Sequence, residues 1–189
     1  WAVLVNYTRD AQAAQAVVEQ IRGMGGRAQA VQADVADETQ VEALFAALDQ
    51  HVQQGALPPL GALVNNAGYG AFGEFKDSAL PQELAMMQLN MNTVVVLTKL
   101  FMPDLLATRG KILNTASTAA FQPGPYMAVY YATKSFVLSF SEAIASELED
   151  TGVTVTALCP GPTASGFQDK ADLGNSALVK GKNVVVVGY

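Results

Sequence analysis

Short apolar runs alternating with helix-patterned segments leave this chain few folds to choose from. Ala2-Val3-Leu4-Val5-Asn6-Tyr7 reads as a buried strand, and Ala28 to Gln32, Ala62-Leu63-Val64, Lys111 to Thr115 and Val153 to Leu158 read as further strands. Val184 to Val187 reads as a last one. Strands that alternate with helices require parallel crossover units, because parallel neighbours cannot be joined by a tight turn. The expectation is a doubly wound parallel sheet in a three-layer α/β/α sandwich, formed by a single domain over residues 1–189.

The helices between these strands carry their own punctuation. Asp10 can cap a helix whose apolar residues Ala14, Val17, Val18 and Ile21 keep helical spacing, and Gly23, Gly25 and Gly26 stop it. Asp34 falls at the tip of the second strand. Asp37 and Gln40 form a capping box for a helix with Val41, Leu44, Phe45 and Leu48 turned inward. Pro58-Pro59 marks the turn into the next strand. Tyr69 to Lys76 is a glycine-rich, aromatic loop, and a long helix runs from about Leu80 to Leu106, bent or broken near Pro103. Phe136, Phe140 and Ile144 make a stripe on a later helix, suited to core packing or to a seam between subunits.

Composition excludes several partners. Half of the 189 residues are apolar, enough for a sizeable core, and the net charge of -6 argues against nucleic acid or an anionic membrane surface. One cysteine, Cys159, rules out an internal disulfide framework and fits a reducing, cytoplasmic compartment. One histidine and one cysteine do not make a transition-metal site. The uncharged stretch Gly55 to Gly73 is broken by prolines, glycines and asparagines, so it does not read as a membrane span.

The chemistry concentrates between Ser117 and Lys134. Tyr130 and Lys134 stand four apart on a helical segment, so phenol and ammonium share a face. Ser117 lies thirteen residues before Tyr130, just beyond a strand tip. A free phenol has a pKa near ~10, and bringing it to roughly 7 needs about 4 kcal/mol of differential stabilisation. A neighbouring ammonium can supply much of that. The serine hydroxyl would hold a substrate oxygen where charge develops. Thr115 and Thr118 compete for this role, but the spacing favours Ser117.

Tyr130-Tyr131-Ala132-Thr133-Lys134 with Ser117 resembles the active site of the short-chain dehydrogenase/reductase family. Asn65-Asn66-Ala67-Gly68, Asn90 and Cys159-Pro160-Gly161-Pro162-Thr163 match further landmarks of that family in order and spacing. The resemblance runs from the first strand to about Gly166 and implies a Rossmann-like fold. It implies hydride transfer between NADP(H) and a carbonyl or secondary alcohol, with Tyr130 as acid/base, Ser117 polarising the carbonyl and Lys134 lowering the phenol pKa and bonding the nicotinamide ribose. It makes Asn90 the holder of a relay water, with Asn92 its rival. Asn65, Ala67 and Gly68 would line the adenosine side and brace the central strands, Asp34 would meet adenine, and Pro160, Gly161 and Thr163 would border the nicotinamide. Arg9, at the end of the first strand where an acid would select NAD, favours NADP, with NAD the alternative. Homo-oligomers through the two long helices are the family habit.

The sequence also departs from that pattern. The family's glycine-rich strand-turn-helix (TGxxxGxG), which wraps the cofactor diphosphate, does not occur in it. The expectation is a domain truncated at its N-terminus and shortened near 167–182. The missing segment belongs to a parent protein, Val184 to Val187 fills a vacant central slot, or the sheet is incomplete. The alternative function is a catalytically silent remnant or interaction subunit with weak or no cofactor binding. A sugar-nucleotide epimerase shares the Tyr/Lys pair but needs a substrate lobe for which this chain has no room. The sequence does not identify the substrate; Tyr69 to Phe75 and Phe167 to Leu178 would line its pocket.

Overall fold

The computed structural model describes residues 1–161 and 186–187. Thr163, the segment 167–182 and the first half of the last predicted strand therefore lie outside the described residues. The chain divides into two compact units, Trp1–Leu60 and Gly61–Tyr189.

In the first unit, β1 (Ala2–Tyr7) and β2 (Arg27–Gln32) pair in parallel from Ala2 opposite Arg27 to Tyr7 opposite Gln32. The crossover is α1 (Ala11–Gly23). Asp10 caps it as expected, its carboxylate accepting from the Ala13 N–H at 2.8 Å. The chain leaves the helix through Gly25, whose φ of +80° is costly for any side chain. Val18 and Ile21 of this helix bury against Ala28, with Val3, Val5 and Ala30 packed around them. In α2 (Glu38–Gln53) Val41, Leu44 and Leu48 are buried, while Phe45 is half-buried. The cap differs from a capping box. Asp37 accepts from the Thr39 and Gln40 N–H groups at 2.9 and 3.3 Å, but the Gln40 side chain accepts from the Asp34 N–H at 2.8 Å rather than from Asp37. The reason is that the Asp37 N–H already donates to the Asp34 carbonyl at 3.0 Å.

In the second unit the sheet order is β3-β4-β5-β6. Strands β3 (Ala62–Asn65), β4 (Lys111–Thr115) and β5 (Thr154–Pro160) are parallel, whereas β6 (Val186–Val187) runs antiparallel with Val186 opposite Pro160. Its partner is β5, which corrects the idea that the last strand fills a central slot. The parallel α/β class holds, but the described strands form two sheets instead of one. Nor are the first and third strands buried as predicted: β1 is mostly half-buried and Val64 of β3 is 57% exposed. Each has a single strand neighbour among the described residues, so one flank lacks the cover that parallel strands usually have.

The long helix predicted from Leu80 comes in pieces. α3 (Leu80–Met87) passes into a π-helical turn, Gln88–Asn92, then α4 (Thr93–Leu100), and after a 53° bend at Phe101 into α5 (Met102–Thr108), which carries Pro103 in its first turn. No single helix among the described residues is long and apolar enough to cross a membrane. α6 (Ala128–Glu147) packs on β4 and β5. Phe136 and Phe140 stack on it at 6.0 Å against the Val94, Ala116, Val137 and Cys159 cluster.

A polar chain ties this unit together. Buried Asn65 donates to the Asn114 side-chain oxygen at 2.8 Å, Asn114 donates to the Ser141 hydroxyl at 2.9 Å, and Ser141 donates to the Val137 carbonyl at 2.6 Å. It links β3, β4 and α6, and so fixes the strand tips relative to the helix that carries Tyr130.

Candidate active site

The three residues singled out at the centre of the sequence meet. Ser117 follows the end of β4 in extended backbone (φ −172°), where its hydroxyl accepts from the Ala119 N–H at 3.1 Å and opens a short 3-10 turn. Tyr130 and Lys134 project from the first turns of α6 and are 8% and 6% exposed. The Ser117 side chain hydrogen-bonds Tyr130. The Lys134 Nζ lies 5.9 Å from the Tyr130 ring centroid, at cation–π range, and donates to the Thr115 carbonyl at 2.7 Å. Phenol, hydroxyl and ammonium therefore stand beside a parallel strand's carboxyl end, where open α/β sheets bind ligands.

Their electrostatics correct one expectation. Burial pushes the Tyr130 phenol above its ordinary range, the bond from Ser117 only partly offsets this, and Tyr131 adds to the rise. Burial also brings Lys134 down to about 8. The protein alone thus holds a protonated phenol next to a lysine that keeps its charge near neutral pH. The predicted acidified tyrosine is not what these residues produce by themselves.

Asn90 sits in the π-helical turn and is 1% exposed. Its amide donates to the Tyr69 carbonyl at 2.9 Å and to the Thr133 hydroxyl at 3.0 Å, while its oxygen accepts from the Tyr69 N–H at 3.1 Å. Its side chain thus clamps the backbone of Tyr69, just after the Asn65–Gly68 loop, to α6. Its rival Asn92 merely donates to Gln88 on the surface at 2.6 Å. Gly68 shows how tight the clamp is. A Cβ there would stand 2.9 Å from the Asn90 side-chain oxygen and 3.6 Å from the Lys134 Nζ.

The remaining candidates separate. Asn65 serves the polar chain described above, with one buried side-chain oxygen left without a partner. Ala67 lies in the same loop and is exposed. Pro160 ends β5 and Gly161 follows it. Arg9 and Asp34 belong to the first unit. Arg9 is exposed beyond β1, and the Asp34 carboxylate accepts from the Ala36 N–H at 3.0 Å, the turn-forming use of an aspartate. Cys159 is a buried core thiol, raised by burial.

Sequence reasoning missed Asn114 and Thr133, whose partners depend on strand register and helix packing. It also gave no sign of the conformation of Tyr126. Tyr126 precedes α6, is 54% exposed and holds φ +66°. A cavity of about 410 Å³ lies next to it, walled by Ala71 to Phe75 of the predicted pocket loop and also by Met86, Met127 and Tyr130.

Parallel strands joined by helices, with a Ser/Tyr/Lys cluster after a strand tip, define a Rossmann-like α/β protein. Residues 1–175 match the short chain dehydrogenase family, and the chain belongs to that family. It is 37% identical over 169 residues to a 3-oxoacyl-[acyl-carrier-protein] reductase of Synechocystis sp., an alignment covering 88% of this chain and 66% of the relative. Among solved structures, a short-chain dehydrogenase/reductase of Burkholderia phymatum in complex with NAD is 28% identical with a TM-score of 0.77, covering 93% of this chain and 62% of that one. A short-chain dehydrogenase of Sphingobium yanoikuyae in complex with NADPH shares the fold at a TM-score of 0.82 and 24% identity, covering 96% and 68%. The chain thus spans about two-thirds of the length of these relatives.

Proposed function

We propose that the protein is an oxidoreductase that moves a hydride between NADP(H) and a carbonyl or secondary alcohol, as one Rossmann-like domain. The observation that carries this reading is the hydrogen bond between Ser117 and Tyr130 beside a buried Lys134. NADP is preferred to NAD because Arg9 stands exposed at the end of β1, where a ribose phosphate is read.

The residues present fit the nicotinamide ribose end of such a cofactor. The Lys134 ammonium has three N–H groups and gives one to the Thr115 carbonyl, so the others can serve two ribose hydroxyls. The Gly68 position leaves backbone close to Lys134 where a side chain would intrude. When bound, the nicotinamide supplies or accepts the hydride. The chain's own part is proton transfer and polarisation. Tyr130, held protonated by burial, donates its O–H proton to the carbonyl oxygen as charge develops there. Ser117 donates a hydrogen bond to the same oxygen. Lys134 favours the tyrosinate left behind, and in the reverse direction that tyrosinate takes the alcohol proton. Asn90 acts as a positioning residue that fixes the loop against α6. Homo-oligomers through α3–α4 and α6 are part of the same proposal.

The test pairs binding with turnover. NADPH fluorescence titration separates the two readings: weak binding is expected without the diphosphate-wrapping turn, micromolar binding would defeat the silent remnant, and none at millimolar concentration would overturn the enzyme reading. Tyr130→Phe should cut carbonyl reduction by on the order of 10²–10⁴-fold while leaving NADPH affinity in place. Unchanged turnover would mean that another group handles the proton.

A further inference from the structure

The cavity beside Tyr130 carries information about what enters it. Its mouth and walls present rings to solvent: Phe72 is 41% exposed, Phe75 69% and Tyr126 54%. Phe72 and Tyr126 stack at 5.6 Å between centroids, with planes 29° apart. The pair is held at the backbone too, because the Gly73 N–H donates to the Tyr126 carbonyl at 2.8 Å. Tyr126 reaches that position only in the left-handed region (φ +66°), which is costly for an aromatic residue and collects at sites where the surrounding structure enforces it.

The charged residues that line the cavity, among those described, are all acidic. Glu74, Asp77 and Glu83 line it, and no lysine or arginine does among the described residues. Lys76 bridges Glu74 and Asp77 at 3.0 and 2.7 Å. Among the described residues Glu83 has no such cation, and one of its carboxylate oxygens is buried without a hydrogen-bond partner. Among the described residues, a substrate carboxylate would meet the negative charge of Glu83 here.

We propose that this cavity selects an uncharged aryl ketone, or the matching aryl carbinol, whose ring lies against the Phe72–Tyr126 pair, and that it rejects 2-oxo acids. The proposal rests on the reading of Tyr130 as the reactive group and adds the substrate class. A volume of about 410 Å³ accommodates a one-ring ketone. Offset stacking against a pre-stacked pair gives such a ring a gain that an open-chain ketone lacks.

The backbone strain at Tyr126 supplies a clean variant. Glycine prefers the left-handed region, so Tyr126→Gly removes the ring while relieving the backbone, and its thermal midpoint should equal or exceed that of the parent. Saturation-transfer NMR with acetophenone, 1-phenylethanol and pyruvate as probes reads binding without cofactor or turnover. Acetophenone and 1-phenylethanol are expected to bind, pyruvate is not, Tyr126→Gly should weaken the aryl probes about tenfold, and Tyr126→Phe should keep their affinity. Should Tyr126→Gly fail to fold, Phe72→Ala at an exposed position reads the same loss. Aryl binding indifferent to both ring deletions, or pyruvate binding as well as acetophenone, would overturn the proposal. Those results would leave the Tyr130 reading untouched, whereas ring-dependent binding with turnover unaffected by Tyr130→Phe would remove the catalytic reading alone.

Discussion

At the scale of single residues, Lys134 sets the most measurable consequence. Its burial lowers its pKa from the ordinary 10.5 to about 8. Between these values the unfolded chain binds more protons than the folded one, so stability from this group rises as pH climbs from about 8 toward 10.5. Below about 8 both states are charged, and the buried ammonium is a constant cost of about 3 kcal/mol. Lys134→Met should therefore be favoured over the parent near neutral pH, and urea unfolding should show that difference closing by about 3 kcal/mol between roughly pH 7 and pH 10.5. A difference that stays flat with pH would mean that water reaches the ammonium in solution. The identity of this lysine was legible in the sequence, because four-residue spacing on a helix puts it beside Tyr130. Its effect on the phenol was not, because spacing says nothing about burial, and burial is the larger influence on both groups. Tyr126 was illegible for another reason: no pattern announces a positive φ at a residue other than glycine or asparagine.

At the scale of elements, the sequence located most strands and helices to within a residue or two, since apolar runs and caps are local signals. It could not place the bonds that join elements. Asn114 reads as an ordinary strand residue, yet it is fully buried and receives from Asn65 while donating to Ser141, thereby joining β3, β4 and α6. Register decides this, because Asn65 stands directly opposite Asn114. Asn114→Ala should cost about 2–3 kcal/mol, since it strands buried polar groups on both neighbours instead of removing a bonded pair together. Denaturant unfolding measures it, and a loss of a few tenths would show that water replaces the amide. The π-helical turn was equally hidden. Gln88–Asn92 carries no proline or glycine to mark it, but the irregular turn aims Asn90 inward at Tyr69 and Thr133, consistent with the tendency of such turns to occur at functional sites.

At the scale of the whole molecule, the exposed apolar surface argues for company. Leu80, Leu84 and Met87 recur at four and three residues along α3, so they share one helix face, and they are 67%, 54% and 37% exposed. Val95, 36% exposed, continues the apolar exposure on α4 beyond the π-helical turn. A run of this kind on consecutive helices exceeds the scattered apolar residues of an ordinary surface, and it is the face we propose for association. The proposed occupant is a second copy of the chain, since the same elements on a partner offer a self-complementary surface under two-fold symmetry. Leu84 is the central test because it lies midway between Leu80 and Met87 and does not wall the cavity beside Tyr130. Leu84→Lys places a charge on each side of the two-fold contact, where like charges and desolvation both oppose association. Sedimentation velocity is expected to show a dimer or larger assembly for the parent and monomer for Leu84→Lys, with the circular dichroism spectrum unchanged. A parent that sediments as a monomer would reject self-association outright. An assembled Leu84→Lys variant would move the contact to another face, and the half-buried Phe136, Phe140 and Ile144 of α6 would be the next residues to change.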